Sequence, residues 1–204
     1  DVRAVTSEYE GVLSTMTQGT LLVDHTTTSK ELALEIADAC DAIGVHFLDA
    51  PVSGGQAGAE NGVLTTMVGG DSKAFGQVEP VMRCYTKHAQ LMGGVGSGQT
   101  TKMVNQLAIA GILGGLSEAL HFAECAGLDI DEVTNAIQGG AAQSWQLTNR
   151  AATIAKREYN FGFAIDWMRK DLGFALDVAD RLGLHLPIAT LVDEQYADVQ
   201  ANGG

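Results

Sequence analysis

The pattern of the sequence changes at Gly94, and this change limits the folds that the chain can adopt. Before Gly94, short apolar runs that predict strands alternate with segments that predict helices, whereas every later segment has helical spacing. Alternating strands and helices are typical of a parallel sheet covered by helices, and consecutive helices form a separate layer. The sequence therefore predicts an α/β domain over residues 1–95 joined to an all-helical domain over residues 96–204.

A long helix is predicted over residues 99–126, where apolar side chains recur mostly every three to five positions. Its interior contains Gly111, Gly114 and Gly115. Each of these glycines costs about 1 kcal/mol relative to alanine. That cost indicates a compensating contact with another helix, so we expect the helix to be buried between domains or subunits. Gly127 is expected to end it.

An apolar run at residues 43–52 is followed directly by Ser53, Gly54 and Gly55. Such a run, rich in Val, Phe and Leu, predicts a buried parallel strand that ends in a loop. Glycine residues allow backbone N–H groups to approach an anion closely, and the serine hydroxyl adds a donor, which together suit the carboxylate of a substrate. An ordinary turn is the alternative, because glycine and serine are also common in turns.

Lys102 follows the predicted start of the long helix closely and is expected to lie in its first turn. The positive end of the helix macrodipole disfavours an ammonium group there, so we expect a lysine with a lowered pKa that can exchange a proton with a carbonyl oxygen. Asn105 and Gln106 lie three and four residues later on the same side, where an amide can hold the lysine or a substrate hydroxyl. A solvated surface lysine is the alternative.

A further helix is predicted over residues 165–182 and is ended by Gly183. Lys170 lies on this helix, and a lysine that projects from a helical domain can close over a nicotinamide cofactor bound to a sheet domain. The alternative is an exposed ion pair between Lys170 and Asp171, an arrangement that is common on protein surfaces.

The composition argues against several classes of function. A formal net charge of −13 is unfavourable for nucleic-acid binding, which requires a basic surface. No apolar run is expected to reach membrane-spanning length. The three cysteines are scattered and lack metal-ligand spacing, so a cytoplasmic location is expected. Glu118, His121 and Glu124 share one helical face, but no second such helix is present in the sequence, and no metal site is expected.

Three motifs occur in order along the chain: DAPVSGGQAG from Asp49, GVGSGQTTKMVNQ ending at Gln106 and RKDLGFALD ending at Asp177. Together they resemble the β-hydroxyacid dehydrogenases, the family of 3-hydroxyisobutyrate dehydrogenase and tartronate semialdehyde reductase, over nearly the whole chain. The resemblance implies an incomplete Rossmann-like parallel sheet domain that binds NAD or NADP. It also implies a helical dehydrogenase and oligomerisation domain like the C-terminal domain of 6-phosphogluconate dehydrogenase.

The resemblance also implies roles for individual residues. It assigns Ser53, Gly54, Gly55 and Phe163 to the substrate, Lys102 and Asn105 to catalysis, and Thr27 and Lys170 to the cofactor. Thr27 lies in the segment DHTTTSK, which resembles the DxST loop of the family, although His25 and Lys30 differ from the commoner Ser and Pro. Gln106 replaces a second Asn that many members carry.

The implied activity is hydride transfer between a nicotinamide cofactor and a small β-hydroxyacid or its semialdehyde, with Lys102 as general acid and base. Two alternatives are a non-catalytic oligomerisation scaffold derived from this family and an enzyme similar to the imine reductases. The expected partners are the small substrate and further copies of the chain, in a homodimer or homotetramer, without nucleic acid or membrane.

The glycine-rich segment that ends at Gly98 does not complete the GxGxxG pattern of dinucleotide-binding turns, because Gln99 occupies the position of the third glycine. Members of the family carry that turn near their N-terminus, whereas this sequence opens in a way that resembles the middle of the cofactor domain. We therefore expect the sequence to be a piece of a longer protein. By itself it should bind NAD(P)H weakly, be inactive and self-associate.

Overall fold

The computed structural model describes residues 2–203, which form two compact units. The sheet unit comprises the residues up to Asn105 together with Gly173–Val178. The helical unit comprises Gln106–Leu172 and the residues from Ala179 onward.

The described residues contain strands only in the first half of the chain, in agreement with the predicted order of elements. In this half lie α1 (Val2–Thr6), a 3₁₀ turn (Val12–Ser14), β1 (Leu21–Asp24), α2 (Lys30–Asp41), β2 (His46–Asp49), β3 (Val52–Ser53), α3 (Gly55–Glu60), β4 (Leu64–Gly70), α4 (Ser72–Met82) and β5 (Thr86–Gly93). The second half contains α5 (Ser97–Cys125), α6 (Ile130–Ile137), α7 (Trp145–Ala155), α8 (Ile165–Arg181) and α9 (Pro187–Ala201). The α/β plus all-α fold class is confirmed.

The sheet is mixed rather than wholly parallel. β1 pairs with β2 in parallel, and β4 pairs with β5 in parallel, but β4 runs antiparallel to β2 and to β3. The strand predicted within residues 43–52 is thus parallel to only one neighbour. The reason is the short return of the chain through α3, which has six residues, because a parallel connection needs a crossover of a dozen residues or more.

Two apolar clusters fix the sheet between helices. Phe47 of β2 packs with residues of α2, including Ile36, whereas its neighbour Leu48 packs with residues of α4, including Met82. Successive strand residues point to opposite faces, so β2 contributes to both clusters and is buried on both sides. Packing on both faces therefore fixes the position of β2 and of the start of the loop that follows it.

The long helix α5 begins at Ser97, two residues earlier than predicted, and ends at Cys125. Gly127 follows with a φ of 74°, the left-handed conformation expected after a helix end. With 29 residues α5 is long and apolar enough, by length and composition alone, to cross a membrane. The expectation that no segment reaches this length is therefore wrong, although a core helix of a water-soluble protein passes the same test.

The glycines within α5 face the last helix of the chain. A Cβ at Gly114 would lie 3.0 Å from Val192 Cγ2 of α9, and a Cβ at Gly111 would lie 3.9 Å from Ile188 Cγ2. The predicted close approach of another helix is thus found inside the helical unit. At Gly115, by contrast, no atom of the described chain beyond the local helix backbone lies within 4 Å of such a Cβ.

This difference between neighbouring glycines predicts opposite outcomes for the same substitution. Gly115→Ala should raise the free energy of unfolding by about 0.5–1 kcal/mol, because alanine reduces the backbone entropy lost on folding and meets no neighbour. Gly114→Ala should gain nothing, since its Cβ must displace Val192. Urea unfolding followed by far-UV circular dichroism measures both. Equal gains at the two positions would contradict the packing of α9 against α5.

The helical unit has two apolar clusters. The first joins α5, α8 and α9 through Ala110, Met168, Leu172 and Val192. The second joins α5 to α7 through Leu120, Leu147 and Ala151. α8 ends at Arg181, one residue before the predicted end, and Gly183 follows with a positive φ of 67°.

Candidate active site

Three of the predicted functional segments start close together in the sheet. Asp24 at the end of β1 is paired with Asp49 at the end of β2, so the loop that carries Thr27 and the segment that leads to Ser53 leave the sheet side by side. Asp49 is also paired with Gly69 of β4, which is paired in turn with Gly93 at the end of β5. The turn into α5 therefore begins close to the carboxyl ends of β1 and β2, and the carboxyl ends of parallel strands are where open α/β sheets bind ligands.

The carboxylate of Asp49 holds the start of α5. The residue has no exposed surface, and its Oδ1 and Oδ2 accept hydrogen bonds from the backbone N–H groups of Gly96 (2.7 Å) and Gln99 (2.8 Å). These N–H groups belong to a helix start, where no intrahelical acceptor is available. Burial raises the pKa of Asp49, and the N–H donors of Gly96 and Gln99 oppose that rise.

Two glycines make room for this carboxylate. A Cβ at Gly69 would overlap Asp49 Oδ1. A Cβ at Gly98 would lie 2.5 Å from the carbonyl oxygen of Met67 and 2.6 Å from that of Asp49. Both distances are far below van der Waals contact. The backbones of β2, β4 and α5 can therefore lie this close together only because residues 69 and 98 are glycines.

The side chain of Gln99 connects the start of α5 to the loop after β1. It is fully buried, its Oε1 accepts from Thr28 N at 3.0 Å, and its Nε2 donates to Thr26 O at 2.7 Å. These two contacts are to the residues on either side of Thr27. The backbone around the predicted cofactor contact is thus held by the helix that carries Lys102.

His25 holds the same loop from its other side. Its Nδ1 lies 2.7 Å from Ala50 O, and its Nε2 lies 2.9 Å from the hydroxyl of Tyr85. A carbonyl oxygen can only accept, so Nδ1 donates to Ala50, and Nε2 forms the second hydrogen bond with the Tyr85 hydroxyl. Burial raises the pKa of Tyr85. The residue that departs from the common family pattern therefore joins the Thr27 loop to the segment after β2.

Lys102 is buried, with 6% of its surface exposed. This burial contradicts the alternative of a solvated surface lysine. The placement in the first helical turn is wrong, however, because α5 begins at Ser97 and Lys102 is its sixth residue. The macrodipole acts mainly within the first turn, so burial rather than the helix start distinguishes this lysine. Lys102 follows Gln99 by three residues and shares its side of the helix, and Asn105 follows after one further turn.

The loop of Ser53, Gly54 and Gly55 connects β3 to α3. Ser53 is half-buried at the end of β3, and the two glycines have φ values of 134° and 61°. Only glycine adopts two such conformations in succession without strain, so the loop shape depends on both residues. A Cβ at Gly54 would in addition lie 3.1 Å from Leu64 Cδ2. The binding of a substrate carboxylate by this loop stays a prediction.

In the helical unit, a buried carboxylate lies beside Lys170. Asp171 is 2% exposed, and its Oδ2 accepts a hydrogen bond of 2.7 Å from Gln106 Nε2. Lys170 Nζ lies 3.0 Å from Asp171 Oδ1, a charge contact without the alignment of a hydrogen bond. The ion pair considered as the alternative role of Lys170 therefore exists, but its acidic partner is buried rather than exposed. Gln106, whose role the sequence left open, holds that partner.

Phe163 precedes α8 in the helical unit and has an exposed side chain. Its φ of 58° places it in the left-handed region, which a bulky side chain rarely adopts. Strained residues of this kind are concentrated at functional sites. The assignment of Phe163 to the substrate stays a prediction, as do those of Thr27, Lys170 and the other site residues.

Comparison with known proteins identifies the family of the chain. Residues 96–204 match the family model described as the NAD-binding domain of NADP-dependent 3-hydroxyisobutyrate dehydrogenase, and residues 1–94 match the NAD-binding domain of 6-phosphogluconate dehydrogenase. A protein of Shewanella frigidimarina named as an uncharacterized oxidoreductase is 56% identical over 100% of this chain and 70% of its own length. The chain belongs to the β-hydroxyacid dehydrogenase family.

Other members of the β-hydroxyacid dehydrogenases support this assignment. The 2-hydroxy-3-oxopropionate reductase of Escherichia coli is 40% identical over 92% of the chain and 64% of its own length. A crystal structure of 3-hydroxyisobutyrate dehydrogenase from Salmonella typhimurium superimposes with a TM-score of 0.88 at 32% identity, covering 99% of this chain and 70% of that one. The resemblance inferred from the three motifs and the class of oxidoreductases are confirmed. The matched domains also confirm NAD or NADP as the cofactor class.

Proposed function

We propose that the protein transfers hydride between NAD or NADP and a small β-hydroxyacid or its semialdehyde, of the 3-hydroxyisobutyrate or tartronate semialdehyde type. The observation that carries this proposal is the burial of Lys102 on α5. Gln99 of the same helix forms hydrogen bonds with the residues on either side of Thr27. Burial of an ammonium group costs free energy unless the group is paired or hydrogen-bonded, so lysine is rarely buried without a specific reason. A buried lysine one helical turn from the residue that holds this loop is suited to proton exchange with a substrate oxygen.

The loop at the carboxyl end of β1 fits a nicotinamide cofactor. The loop around Thr27 follows a parallel strand and is held by buried hydrogen bonds, as expected for a segment that must meet a ligand at a constant position. Thr27 and Lys170 would hold the cofactor, which supplies or accepts the hydride when bound.

Side chains of the protein, and not the cofactor, would transfer the proton. In reduction, Lys102 Nζ donates a proton to the carbonyl oxygen of the semialdehyde, and in oxidation it accepts the proton of the hydroxyl group. Asn105 would hydrogen-bond the same substrate oxygen. The hydroxyl of Ser53 and the N–H groups of the following glycines would bind the carboxylate, and Phe163 would border the substrate.

A substrate panel tests the proposal. The full-length protein should oxidise at least one small β-hydroxyacid, or reduce its semialdehyde, with NAD(H) or NADP(H), monitored by absorbance of the reduced nicotinamide. Cyclic imines belong in the panel because an imine reductase would reduce them. Activity on imines alone would replace the proposal by that alternative, and no turnover with any compound would favour a non-catalytic scaffold.

Substitution of Ser53 tests the substrate loop. Ser53→Ala should raise the KM for the acid about tenfold, the loss expected for one hydrogen bond to a charged group, and leave the Kd of the cofactor unchanged. Ser7→Ala is a suitable control because Ser7 is exposed, directly follows α1, and its hydroxyl donates to Arg3 O at 3.3 Å. A change in cofactor affinity without a change in KM would assign the loop to the cofactor instead.

We also propose a homodimer or homotetramer in the cytoplasm. The helical unit exposes large apolar side chains, including Phe122, Trp145 and Trp167. Exposed apolar surface of this kind is typical of an interface between subunits. Multi-angle light scattering should therefore give a mass of two or four chains, and a monomer at micromolar concentration would contradict the assembly.

A further inference from the structure

Two fully buried polar side chains join three separate segments of the sheet unit. Asp49 connects the end of β2 to the start of α5, and Gln99 connects the start of α5 to the loop after β1. Each uses both of its polar atoms on backbone groups that are distant in sequence. The resulting network links the backbone of the Thr27 loop to the start of the helix that carries Lys102.

We propose that Asp49 and Gln99 are positioning residues that fix the catalytic lysine and the cofactor loop relative to each other. The proposal rests on the function proposed above for Lys102 and Thr27. Neither Asp49 nor Gln99 needs to touch substrate or cofactor in this role. They act through the backbone of α5 and of residues 26–28.

A comparison with Asp71 shows that Asp49 does more than cap a helix. Asp71 caps α4 by accepting from Lys73 N at 2.9 Å and from Ala74 N at 3.0 Å, and it does so locally, on the surface. Asp49 satisfies a helix start equally well but from 47 and 50 residues away, and it is buried. Burial of a carboxylate is unfavourable, so a local cap would stabilise α5 at lower cost. Because Asp49 is the last residue of β2, its carboxylate also fixes the start of α5 relative to that strand.

The surroundings of Asp49 leave little freedom for α5 to shift. Gly69 and Gly98 allow backbone contact on two sides of the carboxylate, and any larger side chain there would clash with it. Lys102 lies three residues after Gln99, one helical turn from the point of attachment. A displacement of the helix start by 1 Å would move the lysine by a similar distance, and such shifts can reduce turnover by about 100-fold.

The test compares Asp49→Asn with Asp71→Asn in the full-length protein. Both variants replace a helix-capping carboxylate by an amide of the same size. At position 49 the two hydrogen bonds use different oxygens, so an amide can accept only one of them, whereas at position 71 Oδ1 accepts both and an amide oxygen can keep both. Asp49→Asn should lower kcat about 10- to 100-fold with a smaller change in the KM of the acid, whereas Asp71→Asn should leave kcat unchanged. Gln99→Ala should lower kcat and also weaken cofactor binding, because it releases the loop of Thr27.

A second measurement is independent of activity. Lys102 should react slowly with an amine-specific reagent in the wild-type protein because it is buried, and the exposed Lys87 provides an internal reference. Peptide mapping by mass spectrometry should show Lys102 labelled at least about tenfold faster in Asp49→Asn than in the wild type, with no change in Asp71→Asn.

These measurements separate the positioning role from the proposed function. If Lys102 labelling is unchanged in Asp49→Asn, or if labelling rises while kcat stays at the wild-type value, the positioning role is overturned. If the wild-type protein has no dehydrogenase activity, the proposed function fails, and the labelling rate alone decides whether Asp49 holds the helix. Equal effects of Asp49→Asn and Asp71→Asn would reduce Asp49 to an ordinary helix cap.

Discussion

Lys102→Ala should lower the turnover number of the full-length protein by about 100-fold or more, the range typical for loss of a general acid or base. Cofactor affinity should change little, because the assigned cofactor contacts are Thr27 and Lys170. The ratio of kcat to KM should fall with kcat, which is the pattern expected when an interaction is lost in the transition state. Stopped-flow measurement of hydride transfer with the best substrate of the panel gives the effect on the chemical step.

Two controls make this result specific. Lys87→Ala removes an exposed lysine from β5 of the same unit and should have no effect on turnover. Small primary amines added to Lys102→Ala should raise its turnover, because the truncated side chain leaves space for an external proton donor, and they should not activate the wild type. Near-normal turnover of Lys102→Ala would remove the lysine from the mechanism.

Gly98→Ala should produce the largest loss of stability of any single substitution considered. Its Cβ would lie 2.5 Å from Met67 O, 2.6 Å from Asp49 O and 2.8 Å from Asp49 Oδ2. Two of these atoms belong to the backbone of buried strands and cannot rotate away. We expect the free energy of unfolding of the sheet unit to fall by about 2–3 kcal/mol, the upper range for overpacking.

Gly94→Ala provides the matched control for Gly98→Ala. Gly94 lies in the same turn, and a Cβ there meets no atom of the described chain within 4 Å beyond its chain neighbours. Thermal unfolding should give a Tm lower by about 5–10 °C for Gly98→Ala and almost unchanged for Gly94→Ala. Turnover should also fall in Gly98→Ala alone, since the start of α5 must move. Equal Tm values for the two variants would contradict the tight packing of α5 on β2 and β4.

Local features of the structure could be predicted from the sequence to a useful extent. The change from alternating elements to helices, the bounds of α5 and α8 to within two residues, and the glycines that end them follow from periodicity and from backbone preference. These signals are local, because a helix end or an apolar face is specified by residues within a few positions of each other.

The direction of β4 was not predictable in the same way. Apolar runs indicate that a strand exists, but the pairing partner depends on the connection between strands. Here that connection includes α3, which was interpreted only as a loop. The same limit applies to Asp49, which in the sequence is only the first residue of the motif DAPVSGGQAG, within an apolar run. Its hydrogen bonds reach residues 47 and 50 positions later, and no local pattern indicates them.

The sequence by itself therefore determined the family, the two-part fold and the identity of the candidate catalytic lysine, because three motifs with specific residue types occur in a specific order. The tertiary structure decided the environment of those residues. It showed that Lys102 is buried in the second turn of α5, that Asp49 ties the start of this helix to β2 and Gln99 ties it to the loop of Thr27, and that Asp171 is a buried partner of Gln106. Burial and long-range hydrogen bonds arise only when segments distant in sequence meet in the fold. Local sequence patterns therefore cannot predict them.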